Sequence, residues 1–324
     1  MKAWELADGR LALREVPPPS AGRGEVLLHV RFAGACGSDL AKLFRPDAFR
    51  LPPRWRPGHE LVGTIPDGRY AAVDPLLPCT TCIPCQEGHT HLCDALRRVG
   101  WDLPGGFAET VALPAASLHP LPPDLPPLHA VLADPAAVAV HGIRCGIAAP
   151  PGRLAVIGGG AVGLLTAAYA VQRGWDVHVV TRAPRRDEGL QAGLPVRYVD
   201  AARADEGGPF DVVVDAASGA TPDPLELGLR LVRSGGTLVV QNAYDPEVRL
   251  GAPLRNVFGR SLRLVGSFSY CRAGDPDDFT EGLALLRAHP GLCDSLTGER
   301  WPLDRLPEAL DSHRRTGRKL VLFT

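Results

Sequence analysis

Residues 153–163 read Arg-Leu-Ala-Val-Ile-Gly-Gly-Gly-Ala-Val-Gly, and they constrain the fold more than any other stretch. Four apolar residues, Leu154 to Ile157, run straight into glycine, which predicts a buried strand ending at a tight turn. Gly158, Gly160 and Gly163 match the spacing G-x-G-x-x-G. The first glycine of that pattern permits the turn, and the second lets a pyrophosphate approach the backbone. The third lets the following helix pack close to the strand. That helix is predicted over 161–173. Its first residues, Ala161 and Val162, present free N–H groups and a partial positive charge to a phosphate. A glycine-rich turn alone often serves structure only. Here the flanking strand and helix have the order a dinucleotide site requires.

Alternating elements follow. Strands are predicted at 177–180, 196–199, 210–215, 237–241 and 262–266, with helices at 185–192 and 223–233. Residues 200–209 are too few for a full crossover helix, so a reduced or missing one is expected there. The alternation implies a doubly wound parallel sheet of six strands, an α/β domain. A further helix is predicted over 277–288, in a tail that returns to the first domain.

The segment before the glycine turn reads differently. Val26, Leu28, Val30 and Phe32 alternate and predict a half-buried strand. It leads into Cys36-Gly37-Ser38-Asp39, and Gly58-His59-Glu60 comes later. Cysteine and histidine are good zinc ligands, though either alone would more often be an ordinary buried residue. Cys79, Cys82, Cys85 and Cys93 are the most specific signal. Four thiols at short spacing, broken by Pro78, Pro84 and Gly88, suit a closed tetrahedral zinc site, hence a structural one. His89 and His91 inside this lobe are expected to be solvated. Gly105-Gly106-Phe107-Ala108-Glu109 opens another strand, and the proline-rich segment 114–127 predicts an extended connector. Asp134 lies near the start of a helical stretch over 132–146 and precedes Pro135, so its bland role is an N-cap.

Composition narrows the classes. A net charge of −1 gives no global field for nucleic acid or an anionic membrane. No apolar run is long enough to span a bilayer, so a cytoplasmic protein is expected. Eight cysteines in this setting argue for metal binding over a disulfide framework. Only three of the 35 basic residues are lysine, Lys2, Lys42 and Lys319, which reads as codon bias toward arginine.

Together these motifs, in this order, resemble the zinc-dependent medium-chain dehydrogenase/reductases, the alcohol and polyol dehydrogenases. The phrases at 36–40, 75–79 and 265–268 are most similar to the galactitol-1-phosphate and sorbitol dehydrogenase branch. The resemblance implies a mainly β, GroES-like catalytic domain over 1–130 with a zinc lobe at 78–94. It further implies a Rossmann domain over 131–267 and a return over 268–324. It implies two zinc ions per chain, one structural in the lobe. The catalytic one would be held by Cys36, His59 and a carboxylate, Asp134, with Glu60 as a neighbour able to bind in turn. Asp39 would orient the imidazole of His59, and Ser38 would relay the substrate proton. Between them these parts move a hydride between a secondary alcohol or its ketone and a nicotinamide. The histidine that some relatives carry just after Asp39 is missing here, and 62–73 is shorter than the usual hairpin region.

Thr181 and Arg182 close the second strand of the sheet, with Arg185 and Arg186 beyond. NAD sites usually carry Asp or Glu there, whereas a hydroxyl and arginines suit a 2′-phosphate. NADP(H) is therefore favoured over NAD(H), against the reading of an arginine-rich surface loop. The rivals are an NAD-dependent polyol dehydrogenase and a dinucleotide-binding sensor with structural zinc only. A quinone reductase fits the cysteine lobe and ligand set poorly. Small-molecule alcohols or ketones are the expected partners, and a homodimer or homotetramer the expected assembly. Trp55, Trp101, Phe268 and Tyr270 are candidates for the pocket wall. Cys145, Cys271 and Cys293 have no assigned role.

Overall fold

Glu25–Ala35 is the spine of the first unit, with Leu28, Val30, Ala33 and Ala35 turned into the core. The alternation that begins at Val26 breaks between Val30 and Phe32, where the register shifts against Glu60–Thr64. This bulge adds an unpaired residue and puts Ala33 rather than Phe32 inside. The computed structural model describes residues 1–146, 150–182, 193–217, 219, 221–245, 247–316 and 318–324. They divide into two units, Met1–Asp134 with Leu296–Thr324, and Pro135–Ser295.

In the first unit a seven-stranded sheet runs in the order Leu118–Pro120, Tyr70–Val73, Glu60–Thr64, Glu25–Ala35, Leu320–Phe323, Arg300–Pro302. Thr110–Pro114 pairs with the first half of Glu25–Ala35. The expected connector at 114–127 thus contains a strand, because Leu118 to Pro120 pair with Tyr70–Val73. Trp4, Leu28, Leu61, Phe107, Leu113 and Leu322 belong to one apolar cluster in this unit. Each such large side chain, fully buried, contributes about 1.5–3 kcal/mol. The Trp4 indole N–H donates to the Leu303 carbonyl at 2.6 Å, tying the first strand to the C-terminal segment.

The second unit holds six parallel strands in the order Arg197–Asp200, Asp176–Thr181, Arg153–Ile157, Phe210–Asp215, Val232–Val240, Arg263–Gly266. The order reverses at Arg153–Ile157, the switch point where doubly wound sheets bind ligands. Leu154, Ala155 and Val156 are wholly inaccessible, as an apolar run flanked by strands requires. A short 3-10 stretch, Ala201–Glu206, replaces the crossover helix after the Arg197–Asp200 strand. The helix expected over 223–233 stops at Leu231, because Val232 already pairs with Phe210 in the sheet. The helix expected over 185–192 lies outside the described residues.

The unit boundaries differ from the expected ones. The first falls at Asp134 rather than 130, and the second at Ser295 rather than 267. Asp278–Ala288 explains the second shift. Its Gly282 leaves room for the backbone of Ala136 and Ala137, and its Glu281 accepts from Tyr169 at 3.1 Å and Arg173 at 2.6 Å. These ties hold 268–295 to the parallel sheet unit. Among the described residues no helix is long and apolar enough to cross a membrane.

Candidate active site

Strand register assembles the first cluster. Leu320 lies opposite Ala35, and Glu60 lies opposite Gly34, on the two sides of one strand. Cys36 follows Ala35 and Lys319 precedes Leu320, so three adjacent strands deliver Cys36, Glu60 and Lys319 to one end of the sheet. Gly34 is required for close approach, since a Cβ there would lie 2.1 Å from a Glu60 carboxylate oxygen. His59 is the residue before Glu60. The chain leading to it is pinned by Gly106, whose N–H donates to the Gly58 carbonyl, and by Phe107, which donates to Pro57.

The ligand atoms of Cys36, His59 and Glu60 all lie within 4.8 Å of one another. His59 is 9% exposed and Glu60 2%. Asp39, fully buried on the Gly37–Phe44 helix, faces His59 Nδ1 at 3.1–3.2 Å. An ionised carboxylate only accepts, so Nδ1 carries a proton. Burial disfavours a charged His59 ring. The Asp39 carboxylate and the Cys36 sulfur outweigh it and hold the ring well above its ordinary value. Asp134 Oδ2 lies 3.8 Å from His59 Nε2, outside the three-residue set. Burial pushes Asp134 up to about 6; His59 and Lys319 oppose the shift, and Glu60 and Asp74 add to it. Glu60 instead accepts a hydrogen bond from the ammonium of Lys319, whose side chain is 9% exposed. Burial works against charge on Lys319 too, but Glu60, Cys36 and Asp134 raise it above its ordinary value.

Ser38 sits in the first turn of the same helix, half-buried, beside Cys36. Lys42, one turn on, donates to the Ser38 carbonyl at 3.0 Å. Of the aromatic candidates, the Trp101 ring lies 6.2 Å from the His59 ring. Trp55 is core, its indole donating to Gly100 at 2.6 Å, and Tyr270 is core beside Phe279. Phe268 is 54% exposed.

Cys79, Cys82, Cys85 and Cys93 form the second cluster, again with all four sulfurs within 4.8 Å. Backbone N–H groups of Cys79 and Cys82 point at the sulfurs of Cys93 and Cys79, at 3.2 and 3.4 Å. The Thr81 hydroxyl, the backbone N–H groups of Thr81 and Cys82 and the Cys93 thiol pull the Cys79 thiol down to about 6. His91 is buried rather than solvated but stands outside this cluster, and Cys145, Cys271 and Cys293 join neither cluster. None of the eight cysteines is in a disulfide.

The glycine turn lies in the other unit. Gly158 has φ +119° and faces the Ala216 carbonyl, where a Cβ would come within 2.7 Å. A Cβ on Gly163 would lie 2.0 Å from the Gly158 carbonyl oxygen, so this glycine brings the Ala161–Gln172 helix onto the strand end. Gly160 is different. It caps the helix at φ −84°, and a Cβ there meets nothing within 4 Å among the described residues. The open space over the helix N-terminus suits the approach of a pyrophosphate. Thr181, at the end of the neighbouring strand, is buried, and Arg182 is exposed; Arg185 and Arg186 lie outside the described residues.

Lys319 was missed in the sequence, as was Asp215, a buried carboxylate at the end of Phe210–Asp215 that accepts from the Tyr244 hydroxyl at 2.5 Å. A signal existed for the lysines. In a chain so biased to arginine, two of its three lysines stand around one cluster, Lys42 buried and Lys319 half-buried with its side chain largely covered.

A dinucleotide-type turn in a doubly wound sheet, with a thiol, imidazole and carboxylate cluster in a β unit of the same chain, defines an oxidoreductase of the zinc-dehydrogenase class. The chain belongs to the zinc-type alcohol and polyol dehydrogenases, the medium-chain dehydrogenase/reductase family. Residues 22–123 match the alcohol dehydrogenase GroES-like domain. The chain is 32% identical over 321 residues to D-altritol 5-dehydrogenase of Agrobacterium fabrum, covering 92% of this chain and 91% of that one. It is 28% identical over 327 residues to L-galactonate-5-dehydrogenase of Escherichia coli, covering 95% and 93%. A zinc-binding dehydrogenase from Sinorhizobium meliloti 1021, solved bound to NADP, superposes with a TM-score of 0.88 at 27% identity, covering 100% and 99%.

Proposed function

We propose that this chain is a zinc- and NADP(H)-dependent dehydrogenase that interconverts a secondary alcohol of a polyol or sugar-like chain and its ketone. The observation that carries the reading is the meeting of Cys36, His59 and Glu60 donor atoms within 4.8 Å, with Asp134 Oδ2 3.8 Å from His59 Nε2. Thiol, imidazole and carboxylate groups this close, two of the three buried, are the donor set a zinc ion takes. Cys36, His59 and Asp134 would hold it. Glu60 has its charge matched by Lys319, whereas Asp134 has no hydrogen bond among the described residues. When bound, zinc lowers the pKa of the substrate hydroxyl and the nicotinamide accepts or returns the hydride.

The chain's own groups supply the rest. Asp39 fixes the His59 tautomer and ring orientation. Ser38 takes the substrate hydroxyl proton at its Oγ and passes it toward water. The Ala161–Gln172 helix N-terminus receives the pyrophosphate, and Gly160 gives it room. Arg182 and the Thr181 hydroxyl favour a 2′-phosphate, and the NADP-bound neighbour accords with that choice. The four-cysteine lobe holds a second, structural zinc.

Metal counting and a substrate screen test this reading. The parent is expected to hold two zinc ions per chain and to oxidise polyols with NADP+. Cys36→Ser is expected to hold one and to lose nearly all turnover while remaining folded. One zinc in the parent, or full turnover in the metal-depleted variant, rules out the catalytic site and leaves a dinucleotide-binding scaffold.

A further inference from the structure

Among the described residues, Lys42 is a buried cation with no salt bridge. It is 6% exposed, yet its ammonium makes one hydrogen bond, to the Ser38 carbonyl at 3.0 Å. Its other neighbours are aromatic faces: Trp101, 3.7 Å from the ring centroid, Phe49 at 5.5 Å and Trp55 at 6.0 Å. A buried ammonium is normally paired, because ring faces and a single carbonyl replace only part of its hydration. The Asp39 carboxylate and the Cys36 sulfur favour the charge on Lys42, but Asp39 is committed to His59 and to the Cys36 N–H. Arg98, also 3.7 Å from the Trp101 ring centroid, is bonded to Asp102 at 3.3 Å. Desolvation brings Lys42 down to about 8, so it still carries its proton at neutral pH.

A second observation is independent of the first. The Trp101 indole N–H is buried and has no hydrogen-bond partner among the described residues. Buried donors are rarely left unpaired, and those that are call for an explanation. Two spare ammonium donors and one orphan indole donor therefore share one small region. The 3.7 Å and 6.2 Å distances through the Trp101 ring put the ammonium no more than about 10 Å from the His59 ring.

We propose that Lys42 and the Trp101 N–H anchor the carboxylate of a polyhydroxy acid, so that the substrate is a sugar acid rather than a neutral polyol. The inference rests on the alcohol-oxidising reading above and adds the substrate class to it. Lys42, Arg98 and Asp102 together carry one positive charge, which a carboxylate balances and a phosphate dianion exceeds. A lysine ammonium is a compact charge that suits a single carboxylate oxygen, leaving the other to the indole. The reaction leaves this carboxylate unchanged. A secondary alcohol further along the chain gives its C–H as hydride to the oxidised nicotinamide and its O–H proton to Ser38, yielding a keto acid.

The test compares hexonates, the matching hexitols and hexitol 6-phosphates on the zinc-loaded protein. In the parent, kcat/KM for the best hexonate should exceed that for its hexitol at least tenfold. Lys42→Met should cut that ratio by about ten- to hundredfold, mainly through KM, the scale of one charge-assisted hydrogen bond. Lys42→Arg should restore part of it, and Trp101→Phe, which keeps the ring and loses the N–H, should lower it a few-fold. Calorimetric binding of the hexonate to the same four proteins gives a readout without turnover. An unchanged ratio and unchanged binding in Lys42→Met overturn the anchor and leave the dehydrogenase reading standing. Tighter binding of the hexitol 6-phosphate than of the hexonate overturns the carboxylate assignment. If the parent oxidises nothing but binds hexonate, with Lys42→Met losing that affinity, the anchor stands and the dehydrogenase reading falls. No hexonate binding by the parent overturns the anchor outright.

Discussion

Gly160→Ala separates the cofactor from the fold. The added methyl meets no atom of the described residues within 4 Å, and φ at −84° is ordinary for alanine. Two stability terms oppose each other. Alanine restricts the unfolded chain and stabilises by about 0.4–1 kcal/mol. As an N-cap it is poorer than glycine, by about 0.5–1 kcal/mol. They nearly cancel, so stability should stay within about 0.5 kcal/mol of the parent. The methyl occupies the space over the helix N-terminus through which a pyrophosphate would approach. Loss of one charge-assisted hydrogen bond to a phosphate oxygen is worth about 1.5–3 kcal/mol, a ten- to hundredfold drop in affinity. Urea denaturation would measure the first quantity, and fluorescence titration with NADPH the second. Gly163→Ala is the contrast. Its methyl would stand 2.0 Å from the Gly158 carbonyl, so the helix must move and stability should fall by about 1–3 kcal/mol or more. If Gly160→Ala binds NADPH within twofold of the parent, or unfolds more easily by over 1 kcal/mol, the reasoning about that open space is wrong.

Arg182→Ala should weaken NADPH binding about tenfold or more while NADH affinity barely moves, and the parent's preference should fade with added salt; tighter NADH binding by the parent would make Arg182 a surface residue. Cys82→Ser should lower the melting temperature before it touches chemistry, because a closed metal site contributes folding free energy. A variant as stable as the parent yet inactive would refute the structural role of the lobe.

Some of this molecule is written locally. The glycine turn, the four-cysteine lobe and the Cys36 to Asp39 phrase each place their groups within one short stretch. Spacing alone therefore fixes which backbone bends and which atoms converge. The strand runs of the parallel sheet are legible for the same reason, since burial on both faces leaves an uninterrupted apolar signature. Even the short crossover after Arg197–Asp200 is legible, because ten residues cannot hold a full helix.

The chemistry around the cluster is not local. Lys319 reaches Glu60 across 259 positions of chain, through the pairing of Leu320 with Ala35 and of Glu60 with Gly34. Neither residue marks the other in sequence, because strand pairing is set by the whole sheet rather than by neighbours along the chain. Lys42 is likewise an ordinary helical residue until Trp101, far along the chain, covers it and the lost water turns its charge into a binding force. What the sequence determined was which groups the protein owns and where its backbone must turn. Only the tertiary structure decided which charges are matched and which are left waiting, because desolvation depends on what folds over a group and not on what lies beside it in the chain.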